Sequence, residues 1–241
     1  MKIGIQLYTL REESKKDFKA VLEYVAVCGF DGVEFAGYYD MTAEEIKGHL
    51  DRLGLVCNST HTPAADVFEK PEEVIACHKI LGCDYVIVPW YDLKSREQVL
   101  ELAEKFNRVQ KLYADNGITL GYHNHSHELV KDGTQYLLEI LLENAPAIQL
   151  EVDTYWVYNA GVDVREFLLK HKDRIRMIHL KDGNQEGLQA VGEGDVDIQK
   201  VLDTAKEIGL EWAVVENDEP KPNGFDDVKR SMNNLKSQYT Y

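Results

Sequence analysis

Eight times along this chain a short β-rich run gives way to a longer stretch with helical spacing, and that rhythm leaves few folds open. The runs are 2–8 (KIGIQLY), 32–35 (GVEF), 55–61 (LVCNSTH), 84–90 (DYVIVPW), 118–125 (ITLGYHNH), 148–156 (IQLEVDTYW), 174–182 (RIRMIHLKD) and 211–218 (EWAVVEND). Between them, apolar positions such as Phe18, Val21, Leu22 and Val25 recur at the spacing of one helix face. Punctuation agrees with this reading. Ser14 is the expected cap of the first helix and Gly29 its stop, and T-A-E-E from Thr42 resembles a capping box for a helix ending at Gly54. Pro71 opens the next helix, and Ser95 opens a long one that runs to Asn116–Gly117. Further helices are expected near 134–143, near 163–171, over 197–209 and over 225–238. Strands this apolar, each followed by a helix, imply a parallel sheet covered on its outside, and eight such units imply closure into a (β/α)8 barrel. An open doubly wound sheet would want a Gly-rich phosphate loop after the first strand, and QLYTLRE has none. The expectation is one barrel domain over residues 1–241.

A hydrophobic fraction of 44% can supply a sizeable core, and no stretch approaches 18 apolar residues. The N-terminus reads as a strand and not as a signal peptide, so a cytoplasmic, membrane-free location is expected. Cys28, Cys57, Cys77 and Cys83 show no C-x-x-C spacing and read as reduced packing residues. A formal net charge of −15 opposes polyanions, so nucleic acid is not an expected partner.

In a barrel of this kind the chemistry lies where the strands end, because alternate side chains there converge on the mouth. Those ends carry Gln6 and Tyr8, Glu34, His61, Trp90, His123 and His125, Asp153, His179 and Lys181, and Glu216. On the fifth strand His123 and His125 share a face with Thr119 and Gly121. On the sixth Glu151 and Asp153 do so, on the seventh His179 and Lys181, and on the eighth Val214 and Glu216. His123, Asp153, His179 and Glu216 can therefore meet at one point, with His123 as the ligand and His125 facing substrate. Two imidazoles and two carboxylates suit one divalent ion, Mn2+ first, with Zn2+ and Co2+ as alternatives. Glu151 is either a partner that fixes an imidazole or an acid–base group. Trp156 is either a sugar platform or a rim-packing residue, and Lys181 either neutralises charge on the substrate or makes a structural ion pair. Glu34, His61, Trp90 and Glu128 are expected around the substrate. His127 is read as a surface residue, Asp195 and Asp197 as helix caps, and His49, His78 and His171 as solvated helix residues.

The segments YHNHSHE, EVDTYWVYNAGVD, MIHLKD, VGEGDVDI and WAVVEND, in that order, resemble the sugar phosphate isomerase/epimerase group of the xylose-isomerase-like barrels. That group is related to inosose dehydratases, hydroxypyruvate isomerases and ketose 3-epimerases, and the resemblance runs from IGIQLYTLRE to the last helix. It implies one metal held by a Glu, Asp, His, Glu set from strands five to eight, three of which fall on Asp153, His179 and Glu216. The chain departs at strand five, where His123 stands in place of the epimerases' glutamate. A two-glutamate proton relay is thereby put in question, and Glu151 or the His125/Glu128 pair becomes the candidate second acid–base beside Glu216. The reaction expected is a metal-dependent isomerisation or epimerisation of a small polyol, ketose or keto-sugar through an enediolate. A dehydratase of the inosose type, or a lyase acting on a 3-keto-glycoside, begins with the same step. An endonuclease IV-like nuclease and a non-catalytic sugar-binding barrel are the remote alternatives. A homo-oligomer is compatible with all of them.

Overall fold

The structure, a computed structural model, describes residues 1–241. Its eight long strands are β1 (Lys2–Gln6), β2 (Gly32–Phe35), β3 (Val56–His61), β4 (Tyr85–Val88), β5 (Thr119–His123), β6 (Gln149–Asp153), β7 (Ile175–Leu180) and β8 (Trp212–Val215). They pair in parallel, each with its neighbour in sequence, and β8 closes onto β1 with Gly4 opposite Val214. The expected closed barrel is present. The main helices are α1 (Arg11–Cys28), α2 (Ala43–Leu53), α3 (Ala64–Glu69), α4 (Pro71–Leu81), α5 (Arg96–Asp115), α6 (Leu137–Asn144), α7 (Thr154–Asn159), α8 (Val164–His171), α9 (Ile198–Glu207) and α10 (Gly224–Gln238). No helix is long and apolar enough to cross a membrane.

Local chemistry explains most of these boundaries. Thr42 and Glu45 form the reciprocal capping box, and Ser95 caps α5 through the Gln98 amide. Asp197 caps α9, whereas Asp195 caps nothing and its amide donates to the Gly183 carbonyl. The expected cap at Ser14 is corrected: α1 begins at Arg11, and Ser14 is buried within it. The break in this helix comes at Asp17, which leaves helical geometry at φ −156° and accepts from the Ala20 amide at 3.0 Å. Asp17 thus caps the long part of the helix, as a short acidic side chain does. The first strand stops at Gln6, because Leu7–Leu10 turn into a 3-10 helix; likewise the sixth stops at Asp153, whose carboxylate caps α7. Two short hairpins, over 131–136 and 182–189, decorate the mouth.

The large core lies between the strands and the helix ring. A smaller one fills the barrel interior, where Tyr85, Ile87, Met177 and Val214 pack together. Tyr85 reaches that space only because residue 121 is glycine: a Cβ there would lie 2.5–2.6 Å from the Tyr85 ring. All four cysteines are free. His78, expected in solvent, is buried; its Nε2 meets Thr60 Oγ1 and its Nδ1 the Val74 carbonyl, both at 2.8 Å. His171 is also mostly covered, with a side chain 11% exposed against the ring of Phe167.

Candidate active site at the barrel mouth

One strand position above the apolar interior layer, the side chains change character. Met177 gives way to His179 and then Lys181, Val214 to Glu216, Gly121 to His123, and Glu34 and Glu151 point inward from β2 and β6. Each of these polar residues is almost completely buried. The ladder register shifts between Val33 and Glu34 and again between Leu150 and Glu151. Irregularities of this kind re-aim side chains next to functional sites. Both buried glutamates follow such a shift.

The lower tier of the site is built on His61 and His179, whose rings stack at 5.2 Å. His61 Nε2 lies 2.6 Å from Glu151 Oε2 and 3.1 Å from Glu34 Oε1. His179 Nε2 lies 2.8 Å from Glu34 Oε1 and 3.0 Å from Glu151 Oε1, while its Nδ1 meets Glu216 Oε2 at 2.8 Å. Gln6 and Ser59 donate to Glu34 from below. Burial alone would lower both imidazole pKa values, but the surrounding carboxylates raise them, that of His179 well above the usual range. Glu34 is pushed up by burial and by the charge on Glu151; Glu151 is held well down, against burial, by His179 and His61. Of the pair, Glu34 therefore holds a proton more readily, and Glu151 is the one whose charged form its histidine neighbours favour.

The upper tier is built on Lys181. Its side chain is wholly buried, and Nζ lies 2.9 Å from Asp153 Oδ2, 2.8 Å from Glu216 Oε2 and 2.8 Å from Asp218 Oδ2. Against the cost of burial, Lys181 and His123 hold Asp153 at about 2, and Lys181 and His179 hold Glu216 well below the carboxylate range. His123 Nδ1 donates to the Pro89 carbonyl at 3.2 Å, which leaves Nε2 as the ring atom that faces Asp153. That Nε2 is buried without a hydrogen-bond partner, 3.4 Å from Asp153 Oδ2. Asp153 Oδ2 has ion-pair contacts but no aligned hydrogen bond either. A carboxylate oxygen and an imidazole nitrogen that face each other in a buried site, neither with an aligned hydrogen bond, are placed as two ligands of one cation would be. Ligand atoms of His123, Asp153, His179 and Glu216 all lie within 4.8 Å of one another. The set fits a divalent ion, with the second nitrogen of His123 oriented as a ligating histidine requires.

Around this cage the other expected residues fall into two groups. His61, Trp90, His123, His125 and Glu216 line a cavity of about 650 Å³, together with Tyr8, Asp218 and Glu219. Lys181, Glu151 and Glu34 lie beneath it. Trp156 covers Lys181 Nζ at 5.3 Å from its ring, and Glu128 is fully buried, accepting from Tyr122 Oη at 2.5 Å and from the His125 amide at 2.8 Å. His125 is pushed down to about 2 by burial and by His123, so its ring stays neutral. His127 has a half-covered side chain, 32% exposed, beside the Tyr91 carbonyl. Asp218 and Glu219 were missed by the sequence reading. Alternation along WAVVEND carries the signal for Asp218, two places beyond Glu216, whereas Glu219 lies past the strand and carries none.

The chain belongs to the family described as the xylose isomerase-like TIM barrel, which matches residues 22–238. Among its relatives is the inosose dehydratase of Geobacillus thermodenitrificans, 27% identical over 83% of this chain and 81% of that protein. The inosose dehydratase of Salmonella typhimurium is 26% identical over 83% and 80%. A solved structure titled sugar phosphate isomerase/epimerase from Parabacteroides distasonis overlays with a TM-score of 0.88, at 23% identity, covering 98% of both chains. That last likeness speaks to the fold.

Proposed function

We propose that this protein is a lyase that dehydrates an unphosphorylated polyol ketone, in the manner its inosose dehydratase relatives are named for. The observation that carries this reading is the cavity lining. It presents three histidines and three carboxylates, Glu216, Asp218 and Glu219, and no arginine or lysine. A substrate phosphate would find no arginine or lysine there and three carboxylates to repel it, while neutral hydroxyls find acceptors and donors on every side.

In this reading Glu216 takes the proton from the carbon beside the carbonyl. His61, anchored through Nε2 on Glu151 at 2.6 Å, turns its other ring nitrogen to the cavity and protonates the departing β-hydroxyl. One C–H and one C–O bond break, a C=C bond forms, and water leaves. His123, Asp153, His179 and Glu216 would hold a divalent ion, which would supply Lewis-acid polarisation of the substrate carbonyl. Glu151 and Glu34 keep His61 and His179 oriented from below, and Trp90 and Tyr8 flank the entrance.

Isomerisation or epimerisation begins with the same proton removal and returns the proton to carbon. A return from the opposite face needs a second proton carrier. Glu151 is buried beneath His61 and His125 resists protonation, so His61 is the donor either course would use, and the dehydratase relatives favour elimination. The test is a panel of inososes, ketoses and their phosphates, incubated with Mn2+-loaded protein in D2O and followed by NMR and enone absorbance. Dehydration of an unphosphorylated ketone is expected. Deuterium exchange with no loss of water would transfer the reading to an isomerase or epimerase, and a requirement for phosphate would sink it.

A further inference from the structure

Lys181 raises a question that the proposed chemistry leaves unanswered: a fully buried ammonium stands inside the cage of residues suited to a divalent ion. Its contacts are unequal. To Asp153 Oδ2 and Glu216 Oε2 it has close ion pairs, at 2.9 and 2.8 Å, without a hydrogen bond of good alignment. To Asp218 Oδ2 it donates an aligned hydrogen bond at 2.8 Å. The first two oxygens belong to residues of the four-member donor set; Asp218 does not, and its side chain reaches the cavity, 29% exposed.

A divalent ion bonds a carboxylate oxygen at about 2.0–2.2 Å. It would approach the same two oxygens that the ammonium touches, so the two cations would stand a few ångströms apart among largely buried side chains, where like charges are poorly screened. Both cannot occupy it. Lysine carries its charge on a flexible four-carbon stem and can pivot; the metal ligands, fixed on strand ends, cannot. Asp218 offers the place to pivot to.

We propose that Lys181 is an internal stand-in for the metal: it neutralises Asp153 and Glu216 in the metal-free protein and withdraws onto Asp218 when the ion enters. This rests on the reading of the His123, Asp153, His179 and Glu216 cage as a metal site. Lys181 then sets how tightly the ion is held and keeps the emptied site folded, and Asp218 governs its release.

The experiment is calorimetric titration of Mn2+ into chelator-stripped protein, for the wild type, Lys181→Met, Asp218→Asn and the double variant. Lys181→Met is expected to bind Mn2+ at least tenfold more tightly, because the competitor is gone. Asp218→Asn is expected to bind several-fold more weakly, because the displaced ammonium loses its partner. In the Lys181→Met background the Asp218 substitution should lose its effect, a non-additivity that direct coupling through Lys181 requires. Thermal melts accompany the titrations: Lys181→Met should be less stable than wild type with chelator and recover with Mn2+. Equal or weaker binding by folded Lys181→Met, or an Asp218 effect that persists without Lys181, overturns the proposal while leaving the metal site intact. Absence of Mn2+ binding in both wild type and Lys181→Met overturns it together with the metal site. Should Lys181→Met fail to fold, Asp218→Asn decides alone, and unchanged affinity there counts against the proposal.

Discussion

Two levels of the barrel interior lie only one inward-facing position apart and are buried to the same extent, yet they are built on opposite principles. The lower level, with Tyr85, Ile87, Met177 and Val214, removes apolar surface from water and contains almost no ionisable group. The upper level, with Glu34, His61, Glu151, His179, Lys181 and Glu216, places charge where desolvation opposes it. It persists because nearly every charge has a partner within about 3 Å. The lower level is a stability device that tolerates apolar exchange; the upper one is a charge ledger in which removing any one member leaves another uncompensated. What the difference teaches is that burial alone does not separate core from active site. The pairing does.

Substitutions at the two levels should therefore fail in different ways. Glu216→Gln keeps the shape of the side chain but removes a base and a ligand, and activity should fall about 10²–10⁴-fold, measured as turnover with saturating Mn2+. If turnover survives, the upper level is structural after all. Met177→Ala should cost about 2–5 kcal/mol in urea unfolding while each folded molecule stays active. A Met177→Ala protein of normal stability and lost turnover would erase the distinction from the other side. Gly121→Ala brings a methyl against the Tyr85 ring and should cost about 1–3 kcal/mol, again without loss of chemistry. Glu151→Gln releases His61 and His179 from a charged partner and should weaken metal affinity about 10–100-fold, read by competition with a chelating dye.

The smallest effect is in pH. His125, with a folded pKa of about 2, contributes stability that is complete above its unfolded value near 6.5 and is lost as pH falls below it. His61 and His179 act in the opposite sense: their raised folded values give stability that is complete below about 6.5 and lost as pH rises through those values. The two trends partly cancel in the wild type. His125→Gln removes only the first, so stripped protein carrying it should gain under about 1 kcal/mol relative to wild type between pH 7 and 6, by urea midpoint. A difference of the opposite sign would mean that His125 accepts a proton in the folded state, which would return it to the list of acid–base groups.

Much of this architecture could be read along the chain because it follows from local regularity. Eight apolar runs with helical stretches between them demand a closed parallel sheet, and the period of two along each run puts His123, Asp153, His179 and Glu216 on inward faces without reference to any partner. Capping residues such as Thr42 and Ser95 act within one turn, so they too were legible. Where the reading failed, the cause was an interaction distant in sequence or a competition between neighbours. Ser14 lost the cap to Asp17, and His78 left solvent because Thr60 and the Val74 carbonyl take both its nitrogens. The two glutamates nearest the histidines, Glu34 and Glu151, came together across 117 positions of the chain through register shifts that no period announces. The setting of Lys181 is of the same kind. A lysine after a strand reads equally well as a substrate contact or an ion pair, and only the approach of Asp153, Glu216 and Asp218 from two other strand ends puts its ammonium in the cage. Periodicity assigns a side chain to a face; which charges then share that face depends on closing the barrel, because electrostatic pairing is set by distance in space and not by separation along the chain.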